Sequence, residues 1–449
     1  MPAAKRPSGL TTVPTSVPVP AAPPVPLPAP VAPAGPARTG PTAPVRRDRD
    51  QWLTLPGCRK VLMVVHTEVY GQRLRDLLPL LAGDLRVQVA FTIAPHAFND
   101  GAARSLPDLG ATLVPWEEAV RTPFDLAVAA GSQGVEQLRA PLLRMPHGIG
   151  HMKLSRTADA HRGAPRTVGG LGASYLMWDG RVVPRAYALS HREDLVALER
   201  WCPQALPIAE VVGDASHDRI TACLPSRDHY RAALGLRPGQ KLVLVSSTWG
   251  LGSSFNRLEA LLPRLLTELP GDEFRIALLV HPNVWSGHGR WQVRAWLDAF
   301  RRRGVAVIPP EDDWRPTLIA ADFLIGDHGS VTLYGTLAGL PILLARFPEA
   351  DVNPMSPGAE LARIAPMLSP AHPLTEQLAY AAAEYAVEEH RRVAARISSE
   401  PGRFNQRMRR LLYRMLGLGQ PAHAPVTDPL PLPAPLHWRT GSDGAEVSA

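Results

Sequence analysis

Between residues 55 and 397 the chain alternates short apolar runs with segments of helical period. Val61 to Val65, Val87 to Ile93, Leu126 to Ala130 and Ile208 to Val212 read as buried strands of a first lobe. The second lobe repeats the rhythm with Leu242 to Ser246, Ile276 to Val280, Val305 to Ile308, Phe323 to Ile325 and Ile342 to Leu344. Apart from Ser246, these second-lobe runs are apolar at every position, which fits strands covered on both faces. Between two of them, Val293, Trp296, Leu297 and Phe300 recur at i, i+3, i+4 and i+7, with Arg294, Asp298 and Arg301 on the other face. That is the stripe of a crossover helix. Strands and helices alternating at this spacing predict right-handed βαβ units, and ligands of such sheets bind beyond the carboxyl ends of the strands.

The pattern stops at both ends. Residues 1–50 alternate Pro with Ala and Val, a composition that removes backbone donors and favours extended, disordered chain. Residues 419–449 repeat it, with Pro429, Pro431, Pro433 and Pro435 between apolar residues, and are expected to be a disordered tail. The expected organisation is therefore α/β, with two Rossmann-like parallel-sheet domains facing a cleft. They span residues 55–225 and 226–397, and are followed by a basic amphipathic helix over 398–418.

Composition changes this picture little. A chain of 449 residues with 45% apolar content has material for two cores. The formal charge of +7 suits a phosphate-bearing substrate, a polyanion or an anionic membrane, and chooses among none of them. Only Lys5, Lys60, Lys153 and Lys241 are lysines, so arginine carries nearly all of the positive charge. Three cysteines, Cys58, Cys202 and Cys223, without C-x-x-C spacing fit neither a disulfide framework nor a structural zinc site. No apolar run reaches the roughly 18 residues that a membrane span needs. A cytoplasmic protein is expected.

Candidate chemistry follows the strand ends. His281-Pro282 closes the run ending at Val280, placing an imidazole where it can meet a phosphate or move a proton, or rest as a loop histidine. Asp327-His328-Gly329-Ser330-Val331-Thr332 turns from strand into helix, with amides and hydroxyls suited to a phosphate; a simple N-cap by Ser330 explains the serine equally well. Thr248-Trp249-Gly250-Leu251-Gly252-Ser253 offers glycines for close backbone approach and hydroxyls for a pyrophosphate. In the first lobe, His147, Gly148, His151 and Lys153 cluster after another apolar run, as an acceptor-side base and cation or as a glycine-rich connection. The P-loop pattern, the G-x-S-x-G elbow and the H-E-x-x-H zinc helix are all missing. No nucleic-acid reading motif accompanies the charge, so nucleic acid is not an expected partner.

In order along the chain, these motifs resemble those of the CDP-glycerol glycerophosphotransferase family, the teichoic-acid polymerase group of the GT-B class. His147-Gly148 with Lys153 is similar to the family's HG-x-x-x-K segment, with the lysine one position later. Gly213-Asp214-Ala215-Ser216-His217-Asp218 resembles its G-x-P-R-x-D junction without the Pro and Arg, and Thr248-Trp249 resembles its P-T-W-R turn with Gly250 in place of Arg. His281-Pro282 matches its R-x-H-P strand end, and Asp327-His328-Gly329-Ser330-Val331 resembles its D-Y-S-S-V loop. The likeness spans about residues 60–395. It implies that His147 is the acceptor-side base, that His281 stabilises the leaving diphosphate, and that Asp327 and Ser330 position the donor's phosphates.

The expected function is metal-independent transfer of a glycosyl or polyol-phosphate group from a nucleotide diphosphate donor to a hydroxyl acceptor, with no separate cofactor, in cell-envelope polymer synthesis. Nucleotide-sugar epimerisation or hydrolysis, and a degenerate relative that binds a nucleotide or a partner, are the rivals. The Pro-rich arm fits aromatic-lined grooves of protein partners. Phe404, Met408, Leu411, Leu412 and Met415 share one helical face beside Arg403, Arg407, Arg409, Arg410 and Arg414, the pattern of peripheral contact with anionic lipid or of a helix docked on the lobes.

Overall fold

The apolar runs of the first lobe become one all-parallel sheet in a computed structural model, which describes residues 54–149, 151–155 and 166–438. In chain order the strands are β1 (Arg59–Val65), β2 (Val87–Ile93), β3 (Thr112–Leu113), β4 (Leu126–Ala129) and β5 (Leu142–Arg144). A small antiparallel hairpin follows, β6 (Met177–Trp178) with β7 (Arg181–Val182), and then β8 (Ala186–Leu189) and β9 (Ala209–Val211). Side by side they run β3-β2-β1-β4-β5-β8-β9. The second lobe holds β10 (Lys241–Ser247), β11 (Phe274–Val280), β12 (Val305–Ile308), β13 (Phe323–Gly326) and β14 (Ile342–Leu344), in the parallel order β12-β11-β10-β13-β14.

Both sheets therefore wind outward in two directions from a central pair, β1 with β4 and β10 with β13. The crevice beyond that pair is where a doubly wound sheet leaves room for a ligand. Helices cover both faces of each sheet, so β4, β8 and β11 are buried at every residue, including Arg275 in the otherwise apolar β11. The helix Arg290–Arg301 buries Val293 and Leu297, while Trp296 is 46% exposed, so its buried stripe is narrower than its sequence pattern.

From Leu55 onward the two lobes form one body. A buried ionic cluster ties them together. Arg73 pairs with Asp214, whose other carboxylate oxygen accepts from the Tyr334 hydroxyl at 2.9 Å. Arg315 of the second lobe donates to Asp76 of the first at 3.1 Å and to Asp313 at 2.7 Å. Each guanidinium has a carboxylate within reach, which offsets the cost of taking these charges out of water.

The expected helix at 398–418 is found at Phe404–Leu416, and it settles which way its apolar face points. Phe404, Met408, Leu411, Leu412 and Leu416 are buried in the first lobe's core, so that face is not available to enter lipid; Arg403, Arg410 and Arg414 remain outward. The expected tail divides. Residues 439–449, like the Pro-rich arm of residues 1–50, lie outside the described residues. Residues 419–438 are instead fixed along the protein surface. Leu430 is buried, its carbonyl accepts from the Tyr230 hydroxyl at 2.8 Å, and Trp438 Nε1 donates to the Leu234 carbonyl at 2.9 Å. Extended proline-rich chain costs little further entropy to order, so a few apolar anchors and side-chain donors suffice. No helix among the described residues is long and apolar enough to cross a membrane.

Candidate functional site

The carboxyl ends of the two sheets face one cavity of about 450 Å³. Its second-lobe wall is built from three strand ends. β10 runs into the Thr248–Ser253 loop, β11 into His281, and β13 into Asp327–Ser330. Asp327 fastens these turns together. Its buried carboxylate accepts from the amides of Ser254 at 2.8 Å, Thr248 at 3.0 Å and Gly329 at 3.0 Å. Burial pushes the Asp327 pKa up, against the amide donors and the charge of Lys153. This residue thus sits behind the wall as its organiser, with its lone pairs already in use.

His281 caps the helix Pro282–His288, its Nδ1 accepting from the Asn283 amide at 3.0 Å. Burial first, then the charges of Lys153 and His147, hold its pKa well below the usual histidine range. A neutral imidazole whose Nδ1 accepts carries its proton on Nε2, so His281 presents a hydrogen-bond donor to the cavity. Ser330 lines the cavity too, but Gly329, not Ser330, occupies the N-cap of the short helix Ser330–Tyr334. His328 and Gly329 share the lining. Thr332 does not. It is buried behind β13, where a Cβ on Gly326 would come within 2.2 Å of its Oγ1.

In the Thr248–Ser253 loop, Gly250 has φ of +90°, which an L side chain adopts only with strain. The turn is therefore built for glycine where the resembling family has arginine. Ser253 spends its hydroxyl on the Gly250 carbonyl at 2.7 Å, closing the loop on itself. Gly250 and Gly252 line the cavity, and Trp249 stands at its edge, 40% exposed.

The first-lobe wall follows β5. Ile149 and Met152 are buried in the core of the second lobe, so the His147–Lys153 segment is a wedge driven from one lobe into the other. Backbone pairing completes the junction, with Leu154 N donating to Asp351 O at 3.0 Å and Asn353 N to Met152 O at 2.8 Å. Held this way, Lys153 reaches across to donate to Thr248 Oγ1 at 3.0 Å and lies 5.4 Å from the Trp249 ring centroid. Gly148 also faces the second wall, where an added Cβ would lie 3.5 Å from Ser330 Oγ. His147 stacks on Tyr70 with ring centroids 4.6 Å apart.

Desolvation, with Arg144, Lys153, His151 and Arg73 nearby, lowers the His147 pKa to about 3. More than a third of the His147 surface nevertheless faces the cavity. Surrounding protein and cations fix the direction of the shift, and water in the cavity reduces its size. The proposed roles of His147 and His281 thus fall to two neutral imidazoles, one from each lobe, with His147 near enough to lower the His281 pKa.

Arg144, which lines the cavity, and His66, which does not, were not singled out from sequence; His151 of the predicted cluster does line it. Arg144 is the last residue of β5, buried, and donates to the Tyr175 carbonyl at 3.3 Å. His151, at φ of +42°, pairs through Nδ1 with Asp194 at 2.9 Å and through Nε2 with the Tyr187 hydroxyl at 3.3 Å. His66, at the end of β1, is fully buried, with Nε2 donating to the Gln133 carbonyl at 2.8 Å. Arg144 and His66 lie at strand ends, which was the available signal, but neither stands in a spacing that marks it. Among the described residues no group of three His, Cys, Asp or Glu side chains is placed to hold a metal ion.

No protein-family model and no curated protein sequence matches the chain. Solved structures do. The wall teichoic acid polymerase TagF matches at 14% identity over 80% of this chain and 89% of its own, with a TM-score of 0.53. A TagF variant soaked for 15 minutes with CDPG gives 13% identity, 80% and 88% coverage and a TM-score of 0.54. Anabaena Alr3699/HepE in complex with UDP and glucose matches at 13% identity over 79% of this chain and all of its own, with a TM-score of 0.45. Few residues are shared, but the two-lobed arrangement is: the chain has the GT-B fold of the wall teichoic acid polymerase TagF.

Proposed function

We propose that the protein transfers a glycosyl or polyol-phosphate group from a nucleotide diphosphate donor to a hydroxyl acceptor. The observation that carries this reading is the pair of neutral imidazoles, His147 and His281, set on opposite lobes of one cavity. In the reaction, the acceptor hydroxyl loses its proton to His147 as its oxygen bonds to the transferred carbon or phosphorus. The bond from that atom to the leaving phosphate oxygen breaks, and the electron pair stays on the nucleotide. His281 donates from Nε2 to that phosphate, with Lys153 supplying positive charge alongside.

A histidine with a pKa lowered to about 3 is a weak base. A bound diphosphate supplies negative charge against the nearby cations, which after desolvation are the lesser causes of that lowering, and so raises the basicity of His147 in part. Proton transfer is thereby coupled to donor binding. The fold and the motif order support a nucleotide donor in the second-lobe wall; the CDPG soak of TagF makes CDP-glycerol the first donor to test.

The test is the thermal midpoint of the full chain with CDP-glycerol, CDP-ribitol, UDP-sugars and the free nucleotides. A donor at 100 times its dissociation constant adds about 2.7 kcal/mol of stability. A rise selective for one nucleotide class, and lost in His281→Ala, is the expected result. A flat response to every nucleotide would overturn the reading.

A further inference from the structure

Arg144 has what a structural arginine ordinarily lacks, a buried charge with nothing to balance it. It is 5% exposed, and its one hydrogen bond among the described residues goes to the Tyr175 carbonyl at 3.3 Å, leaving Nε without a partner. No carboxylate lies within 4.0 Å of it among the described residues, whereas the buried Arg73 and Arg315 both have one. Desolvation lowers the Arg144 pKa, and the groups that act against this, Tyr187, Tyr70 and Tyr175, are phenols and not carboxylates. Isolated charge in such a setting costs several kcal/mol unless a counter-charge arrives.

The surroundings are arranged to receive one. Arg144 lines the cavity, and so do Tyr70 and Tyr175, whose hydroxyls have no hydrogen-bond partner among the described residues. Burial raises the pKa of both phenols, so they stay protonated and act as donors. Tyr70 also stacks on His147, which places this group beside the imidazole that faces an acceptor. The second-lobe wall is a different place, since its amide groups gather around Asp327 and Lys153 reaches across to it from the first lobe.

We propose that Arg144, with the hydroxyls of Tyr70 and Tyr175, forms an oxyanion-binding subsite on the first-lobe wall, and that it takes a phosphate or carboxylate carried by the acceptor. The identity of its ligand as acceptor rests on the transferase reading; the subsite itself does not. An anion there fixes the acceptor by a charged group and leaves its hydroxyl within reach of His147.

The experiment is calorimetric titration of the full chain with glycerol 3-phosphate, glycerate and neutral glycerol, in wild type, Arg144→Met and Tyr175→Phe. Met removes the charge and keeps much of the stem's packing, so the fold is expected to hold, and Tyr175→Phe gives a second reading that alters one hydroxyl. The expected result is binding of at least one of the two anions and not of glycerol, weakened about tenfold or more by Arg144→Met and a few-fold by Tyr175→Phe. Preference between the phosphate and the carboxylate identifies the acceptor's anionic group. Equal anion affinity in wild type and Arg144→Met, or no binding of either anion, would overturn the subsite. CDP-glycerol titrated in parallel separates the two proposals: anion binding through Arg144 without nucleotide binding keeps the subsite and removes the transferase, and the reverse result removes only the subsite.

Discussion

The two walls of the cavity are built on the same strand order and finished in opposite ways. In the second lobe the backbone amides at the strand ends are drawn together by side-chain acceptors, although Ser254 Oγ and Thr332 Oγ1 are buried without a hydrogen-bond partner. Asp327 holds three amides, His281 accepts from Asn283, and Ser253 closes on Gly250. In the first lobe, Arg144 Nε and His66 Nδ1 are buried without hydrogen-bond partners. A wall whose hydrogen bonds are internal is rigid before any ligand arrives, which suits the positioning of a diphosphate. A wall with uncompensated donors and a buried charge gains most from a ligand, which suits the selection of an acceptor.

If the second wall is held together from within, then Asp327→Asn must damage it most. An asparagine oxygen can replace one acceptor, but its NH₂ group faces amide donors, so about 3 kcal/mol of stability is expected to be lost in urea unfolding at pH 7. A loss under about 0.5 kcal/mol would show that the wall does not depend on that carboxylate.

The first wall is expected to reveal itself through acid. His66 is fully buried and its pKa is lowered to about 4, chiefly by burial. The unfolded chain therefore binds a proton at this position between about pH 6.5 and pH 4 that the folded chain refuses. Stability falls as pH falls through that window, by about 2 kcal/mol from this residue between pH 7 and pH 5. His66→Gln removes the term, so its stability loss from pH 7 to pH 5 must be smaller than wild type's by that amount, whatever the substitution costs at pH 7. An unchanged pH dependence would mean that the imidazole is protonated in the fold.

Gly250→Ala sharpens the comparison at its smallest scale. The loop backbone at φ of +90° resists any side chain, although nothing lies within 4 Å of the added Cβ. About 1 kcal/mol is expected to be lost, from backbone strain alone.

What could be read beforehand follows the same division. Apolar runs fixed the second lobe closely, since Val305–Ile308 and Ile342–Leu344 are strands at the expected residues. The first lobe was thinner. β3 is two residues long and β5 three, too short for periodicity, and Ala186–Leu189 carries two alanines and a tyrosine in place of a bulky aliphatic run. Motifs placed Thr248, His281, Ser330, His147 and Lys153 at one cavity. They did not tell Asp327 and Thr332, which stand behind the wall, from Ser330, which lines it, because facing is decided by the turn geometry after β13. Arg144 was illegible for a deeper reason: a sequence shows a charge but not the lack of a partner. The ordered segment 419–438 was hidden likewise, since its anchors, Tyr230, Leu234 and Arg219, are some two hundred residues away.

The central claim is that His147 and His281 together perform transfer across the cavity. It is tested most directly by assaying the full chain with the donor identified by nucleotide stabilisation, following release of the nucleotide and growth of the acceptor in wild type, His147→Ala and His281→Ala. Each substitution is expected to lower the rate about 100-fold or more while leaving the thermal midpoint of the unliganded protein close to wild type. Full transfer by both variants would contradict the account.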